Sequence, residues 1–260
     1  MLLAVDVGNT QTVLGLYDGK RLRHMWRMAT NKTYTADELR IKVLALLAAE
    51  DVAADEVCGM ALASVVPRLT ASWTDVCKDL FGCEALVVNV ETAGSLFKTN
   101  YRNPAEIGAD RIADAVAATA LYGTPVVVVD FGTATNIEVI DKQGFFVGGI
   151  IAPGMETSAN ALFAHAARLA AIELADPHVA IGRTTDEAVQ AGIVYGEAER
   201  VDGLVRRIYD ELGYSAPVIA TGGLAPVVAK VSSCITETNL ELTLVGLRLI
   251  YESHDKPRGL

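Results

Sequence analysis

The pattern of apolar and polar positions predicts strands ahead of helices in each half of the chain. Leu2-Leu3-Ala4-Val5 is an apolar run that stops at Asp6, and Asp6-Val7-Gly8-Asn9-Thr10 follows as a tight polar turn. Thr12–Tyr17 reads as a second strand, Asp18-Gly19 as a hairpin turn, and Arg21–Met28 as a third strand with apolar and basic residues alternating. Leu39, Val43, Leu44, Leu46 and Leu47 make Ala36–Ala49 an amphipathic helix. Met60–Val66 predicts a strand ending at Pro67, Ala71–Leu80 a helix, and Ala85–Val90 a strand. Phe97–Pro104 lacks periodicity and reads as loop, and the Ala-rich Glu106–Tyr122 reads as helix.

The second half opens the same way. Pro125–Val129 is a bare apolar run ending in Asp130, as in a buried central strand. Phe131–Thr135 is a Gly/Thr turn. Ile137–Ile140 and Phe145–Ile151 are strands around Asp141–Gly144. Met155–Leu169 and Asp186–Leu212 read as helices, Pro217–Ala220 as a strand running into Thr221-Gly222-Gly223, and Pro226 as the start of a further helix. Leu240–Tyr251 predicts a last helix, and Glu252–Leu260 a polar, frayed tail.

One pattern recurs. Val5-Asp6-Val7-Gly8-Asn9-Thr10 and Val129-Asp130-Phe131-Gly132-Thr133-Ala134 are each an apolar strand ending in Asp, then an apolar residue, Gly and a small polar residue. In each half a second strand, a polar Asp/Gly turn and a third strand come next. The reading is a duplicated β-β-β-α unit, with a boundary in Ala113–Thr124.

Composition narrows the function classes. The 260 residues are 51% hydrophobic and 21% charged, enough for a packed core and too little charge for global disorder. A formal charge of −10 disfavours a nucleic-acid coat protein but leaves room for a local anion pocket. Asp6 breaks the opening apolar run, so no secretory leader is expected. The charge-free run Leu212–Ala229 carries three glycines and two prolines and is not a membrane helix. Cys58, Cys77, Cys83 and Cys234 show neither CxxC nor a His partner at zinc spacing, and read as reduced thilols of a cytoplasmic protein. His165, in Ala-His-Ala-Ala, reads as a packing or surface residue.

The candidate chemistry sits in the turns. In Asp6-Val7-Gly8-Asn9-Thr10-Gln11-Thr12, a strand delivers a carboxylate, Gly8 admits a close ligand, and Asn9, Thr10 and Thr12 add donors beside free backbone N–H groups. That suits a phosphate chain, with Asp6 near enough to organise Mg²⁺ through water; alone, it is equally a polar β-turn. Facing it across a cleft, the copy at Asp130–Thr135 would complete a nucleotide-phosphate clamp. Ala220-Thr221-Gly222-Gly223 fits the adenosine side of such a site, or is an ordinary strand-to-helix loop. In Gly108-Ala109-Asp110-Arg111, Asp110 fits a general base for an alcohol proton and Arg111 a carboxylate or phosphate contact; both also fit exposed charges in a first helical turn. Thr184 or Thr185 fits a helix cap.

Taken together, these residues resemble the type III pantothenate kinases. The resemblance is carried by Asp6–Thr10, Ser64-Val65-Val66-Pro67, Asn103-Pro104 through Gly108-Ala109-Asp110-Arg111, Asp130-Phe131-Gly132-Thr133-Ala134-Thr135, Gly149–Gly154 and Ala220–Gly223, in order, over about nine-tenths of the chain. It implies an α/β protein with a duplicated ribonuclease-H-like (actin-like ATPase) fold: two mixed β-sheets flanked by helices, divided into residues 1–115 and 116–260. It implies ATP-dependent phosphorylation of pantothenate, the first step toward coenzyme A. Asp110 would be the proton acceptor. Asp6, Val7, Gly8, Asn9, Thr10, Gln11, Thr12, Val13 and Thr133 would hold ATP. Tyr101, Gly108, Ala109, Asp110, Arg111 and Thr185 would hold pantothenate. Asp130 would bind a monovalent cation, K⁺ or NH₄⁺, beside the Mg²⁺ that accompanies ATP. Family members are homodimers, with Thr185 reaching the substrate near the interface. Nucleic-acid and membrane partners are not expected.

The chain departs from the family at Asn136 and Glu138, where Thr and Asp are common, at Thr184, and at Ala170 of Leu169-Ala170. No Gly-Lys-Ser/Thr of a P-loop kinase occurs. The rival readings are a sugar kinase of the same superfamily, which would lack the Gly-Ala-Asp-Arg context, and a non-catalytic nucleotide-binding regulator resembling an accessory transcription factor. An actin-like filament protein comes last.

Overall fold

A computed structural model describes residues 1–166, 169 and 172–255. Parts of the expected helix Met155–Leu169, the Ala170 departure and the end of the expected tail lie outside them. The chain divides into two compact units, Met1–Ala117 joined by the C-terminal helix from Leu242, and Ala118–Glu241.

The first unit runs β1 (Leu2–Val7), β2 (Gln11–Asp18), β3 (Arg21–Ala29), α1 (Ala36–Ala48), β4 (Gly59–Ser64), α2 (Pro67–Phe81), β5 (Leu86–Val87), α3 (Val90–Ala93), β6 (Lys98–Thr99) and α4 (Ala109–Tyr122), within which the division falls. Its sheet has the order β3-β2-β1-β4-β5. β1 pairs antiparallel with β2 and parallel with β4, so the sheet is mixed. Leu3, Val5 and Val7 of β1 pack with Leu39, Val43 and Leu47 of α1 and with Leu69, Trp73 and Val76 of α2. Strand alternation therefore turns Ala4 and Asp6 to the opposite face.

Local chemistry sets the helix starts. A capping box opens α1: Thr35 N–H donates to Glu38 Oε2 (2.9 Å), and Glu38 N–H donates to Thr35 Oγ1 (3.3 Å). α2 starts at Pro67 rather than at the expected Ala71, because a first-turn proline is pre-set for a helix and forfeits no hydrogen bond there. α4 starts at Ala109, three residues later than expected, because Pro104–Glu106 closes a 3₁₀ turn instead.

The second unit repeats the plan. It runs β7 (Val126–Phe131), β8 (Ala134–Ile140), β9 (Phe145–Pro153), α5 (Met155–His165), α6 (Thr185–Gln190), α7 (Gly196–Leu212), β10 (Val218–Thr221), α8 (Ala225–Val228) and β11 (Glu237–Thr238). Its strands stand in the order β9-β8-β7-β10-β11, element for element the order of the first unit. β1 and β7 share one burial pattern, four buried residues, a partly exposed Asp and a buried residue. Val127, Val129 and Phe131 pack with Ala198, Val201 and Val205 of α7 and with Ala225 and Val228 of α8, which turns Asp130 to the other face as Asp6 is turned. The duplicated α/β fold with two mixed sheets is thus present.

The sequence division differs from the observed one at its end. α9 (Leu242–Asp255) packs on β1 and β4, so the chain finishes in the first unit rather than the second. The expected helix 186–212 is two helices joined by a π-helical turn, Ala191–Tyr195. The two-residue strands β6 and β11 and the short α3 are too brief for periodicity to register. Cys58, Cys77, Cys83 and Cys234 are free thiols, and burial pushes those of Cys77 and Cys234 up to about 12. No helix among the described residues is long and apolar enough to cross a membrane.

Asp202 of α7, 3% exposed, ties down the loop after α8. It accepts hydrogen bonds from Ser232 Oγ (2.6 Å), Ser233 N–H (2.8 Å), Ser233 Oγ (2.5 Å) and Cys234 N–H (3.3 Å). Burial works to raise its pKa, but these donors outweigh burial and hold it down to about 2. Asp202→Asn is expected to lower stability by about 2 kcal/mol at pH 7, a Tm lower by about 5 °C. Because the folded-state pKa is depressed, this contribution is complete above the unfolded carboxylate value near 3.9 and fades as pH falls toward 2. Denaturant unfolding of both forms between pH 7 and pH 2 checks both points: the difference should close in that window.

Candidate active site

In the first unit, β1 delivers Asp6 to its carboxyl end and Gly8 N–H donates to Gln11 O (3.0 Å), closing the turn. Thr10 O accepts from Thr30 N–H at the end of β3 (2.8 Å), and Thr12 Oγ1 lies 2.8 Å from Thr30 Oγ1. The Asp6–Val13 stretch is therefore a braced turn. Lys32, just beyond β3, donates from Nζ to Asn9 Oδ1 (3.0 Å) and brings a positive charge to it. The sequence reading did not single out Lys32; the hairpin register, which seats Ala29 opposite Gln11, is the signal that locates it.

The Gly108–Arg111 segment adjoins this turn. Val65 N–H donates to Val7 O (3.1 Å), and a Cβ built on Gly108 would lie 3.8 Å from Val65 Cγ1. The same Cβ would collide with Asp110 Oδ1, so the carboxylate occupies space that only glycine leaves open. Asp110 lies in the first turn of α4, and its Oδ1 accepts from Arg111 N–H (2.8 Å). Burial raises its pKa, and the Arg111 hydrogen bond and charge only partly offset this. Arg111 is itself 8% exposed and Asp110 is half-buried. Tyr101 lies on the preceding loop, its N–H donating to Thr99 Oγ1 (3.0 Å).

In the second unit, Gly132 N–H donates to Ala134 O (3.0 Å). Thr133 O accepts from Gly154 N–H (3.1 Å) and from Thr157 Oγ1 (2.6 Å). Gly222, at φ 89°, closes on Asp130: a Cβ there would strike both Asp130 Oδ1 and Phe131 O. The left-handed backbone and the close approach both require glycine. Asn136 is the cross-strand neighbour of Asp130, and the fully buried Glu138 is that of Val128, so both departures lie on the Asp130 face of the sheet. Thr184, not Thr185, caps α6, accepting from Glu187 N–H (3.2 Å). Thr185 is exposed at the start of α6.

Asp130 offers a carboxylate, an oxygen ligand that fits a hard cation, while Phe131 O accepts from Leu224 N–H (3.4 Å). Among the described residues no three His, Cys, Asp or Glu side chains converge. A divalent ion would therefore take most of its oxygens from phosphates and water.

Comparison with known proteins shows the family. A family model described as type III pantothenate kinase matches residues 2–207. The chain is 44% identical to a type III pantothenate kinase of Thermomicrobium roseum over 259 residues, all of both chains. It is 43% identical to one of Geobacillus thermodenitrificans, again over all of both. Among solved structures, component A of the (R)-2-hydroxyglutaryl-CoA dehydratase of Acidaminococcus fermentans superposes with TM-score 0.57 at 15% identity, over 96% of each chain, a likeness in fold.

The Asp110 environment makes a stability prediction independent of activity. Its folded-state pKa lies above the ordinary value, so the fold binds that proton more tightly than the unfolded chain and is weakened as pH rises through the window between the two. Asp110→Asn keeps an oxygen for Arg111 N–H and removes the buried charge. It is expected to raise Tm at pH 7, with the gain vanishing near pH 4; thermal melts at the two pH values measure it.

Proposed function

The chain belongs to the type III pantothenate kinase family, and we propose how its residues carry out the family's reaction. The protein phosphorylates the primary alcohol of pantothenate with ATP, the first step toward coenzyme A. The observation that carries the assignment of residues is the intact Gly108-Ala109-Asp110-Arg111 segment seated against the Asp6 turn through Val65.

Asp110 accepts the alcohol proton as the new P–O bond forms. Its raised pKa brings the base closer to the working pH, which favours general-base catalysis. Arg111 and Tyr101 hold the pantothenate carboxylate and chain, with Gly108 and Ala109 as the floor. The turn Asp6–Val13 and Thr133 orient the ATP phosphates through N–H and hydroxyl donors, and Lys32 adds charge beside Asn9. Mg²⁺ bound with ATP neutralises charge on the phosphates. Asp130 holds the monovalent cation, K⁺ or NH₄⁺, with Asn136 opposite it on the neighbouring strand. A homodimer in which Thr185 reaches the substrate near the interface, working in the cytoplasm, completes the reading. Phosphoryl transfer asks mainly for positioning and charge neutralisation, and these are what the turns supply.

ADP release from Mg·ATP, with and without pantothenate and in potassium or sodium buffer, tests the reading. Pantothenate-dependent release in potassium alone is expected. Asp110→Asn should lose about 10²–10⁴-fold in kcat while still binding Mg·ADP, and the acid limb of kcat/KM in the native protein should lie above the ordinary Asp range. Turnover surviving in Asp110→Asn would remove Asp110 from the role of base. Bound nucleotide with no release in either buffer would favour the regulator reading.

A further inference from the structure

The sheet-facing side of α7 is apolar at helical spacing through Ala198, Val201, Val205 and Ile208, yet it begins with a carboxylate, Glu197, 4% exposed. A charge at a core position is tolerated only when fully engaged. Glu197 Oε1 accepts from Thr135 Oγ1 (2.6 Å), and Oε2 forms an ion pair with Arg200 Nη2. The same Nη2 donates to Pro153 O (2.8 Å).

The anchor points are specific. Thr135 is the second residue of β8 and Pro153 the last of β9; Ala134 registers with Pro153 and Thr135 with Ala152. Just before Thr135 the chain makes the Gly132–Thr133 turn from β7 into β8, and its Thr133 carbonyl is held by Gly154 N–H, the residue after Pro153, and by the Thr157 hydroxyl. The π-helical turn Ala191–Tyr195 directly precedes α7 and sets which of its residues meet the sheet. One helix thus grips the start of β8, which leaves the turn, and the end of β9, whose next residue braces it.

We propose that Glu197 and Arg200 are positioning residues for nucleotide binding: an ion pair of a buried carboxylate and a partly exposed guanidinium that clamps Thr135 and Pro153 and so holds the Thr133 turn in the shape the phosphate chain needs. This rests on the reading of Thr133 as an ATP contact. The pair touches no reacting atom and acts through the turn.

Calorimetric titration of the full chain with Mg·ADP, beside steady-state KM values for ATP and pantothenate, tests the proposal. Thr135→Val keeps the shape and removes the donor, Thr135→Ser keeps the donor, and Glu197→Gln removes the charge. Thr135→Val and Glu197→Gln are expected to weaken ADP binding about tenfold and to raise the ATP KM alike, with the pantothenate KM within twofold. Thr135→Ser should stay within twofold of the native protein, and the double variant should be no worse than the poorer single, because both act on one network. Native ADP affinity in Thr135→Val and Glu197→Gln, with only Tm lowered, would reduce the pair to a packing role and overturn the proposal. If Glu197→Gln does not fold, Thr135→Val against Thr135→Ser decides. A native chain that binds ADP without pantothenate-dependent turnover defeats the kinase reading and leaves this series decisive. A native chain that binds no ADP defeats the Thr133 reading and this proposal with it.

Discussion

Residues alternate sides along a strand, and the helices α1, α2, α7 and α8 claim the odd-numbered side of the first strand in each unit. Leu3, Val5 and Val7 must therefore point into one core, and Val127, Val129 and Phe131 into the other. Asp6 and Asp130, one residue out of phase, are forced to the opposite face at the carboxyl end of a central strand. A register slip of one residue would bury both carboxylates among leucines and valines and expose the core residues in their place, so the apolar packing itself fixes where the acids stand. The turns that follow inherit their positions from this constraint.

The repeated motif made the duplication readable, because both copies solve the same problem with the same residue types in the same order. The burial strings of β1 and β7 and the matching strand orders are the structural form of that repeat. What the sequence could not carry was any element held by distant contacts. β11 pairs for two residues with β10, and α9 belongs to the first unit because it packs on β1 and β4, more than 170 residues earlier in the chain. No local period encodes such a return. The helix break at Ala191–Tyr195 escaped for another reason: a π turn adds one residue to the helical repeat and leaves the composition helical on either side.

The candidate site residues stand out in the sequence where chemistry departs from the local pattern. Asp110 and Arg111 interrupt an Ala- and Ile-rich helix start, and in the structure Arg111 is buried and Asp110 half-buried beside it, with desolvation raising the Asp110 pKa. Lys32 was invisible because a lysine in a polar loop is the commonest of surface residues; only the hairpin places it at Asn9. Glu197 was invisible for the opposite reason. At helix-face spacing it falls among apolar positions, and only the partners Thr135 and Arg200 reveal why a carboxylate stands there.

A chain with formal charge −10 that uses ATP has an electrostatic problem, and the two turns proposed to hold the phosphates would meet it in a particular way. Backbone N–H groups and hydroxyls are neutral donors, so they bind phosphate oxygens without adding charge that the acidic surface would have to balance. They are also weak unless held in place, because each donor that must first be ordered loses conformational entropy on binding. The bracing hydrogen bonds at Thr10, Thr133, Gly154 and Thr157 meet that entropy loss during folding, before any ligand arrives. The remaining charge must then be neutralised by cations, and in the proposed site a carboxylate at Asp130 would serve that end beside an anion. An acid that would repel phosphate directly becomes attractive once a cation lies between them, which is the part proposed for Asp130.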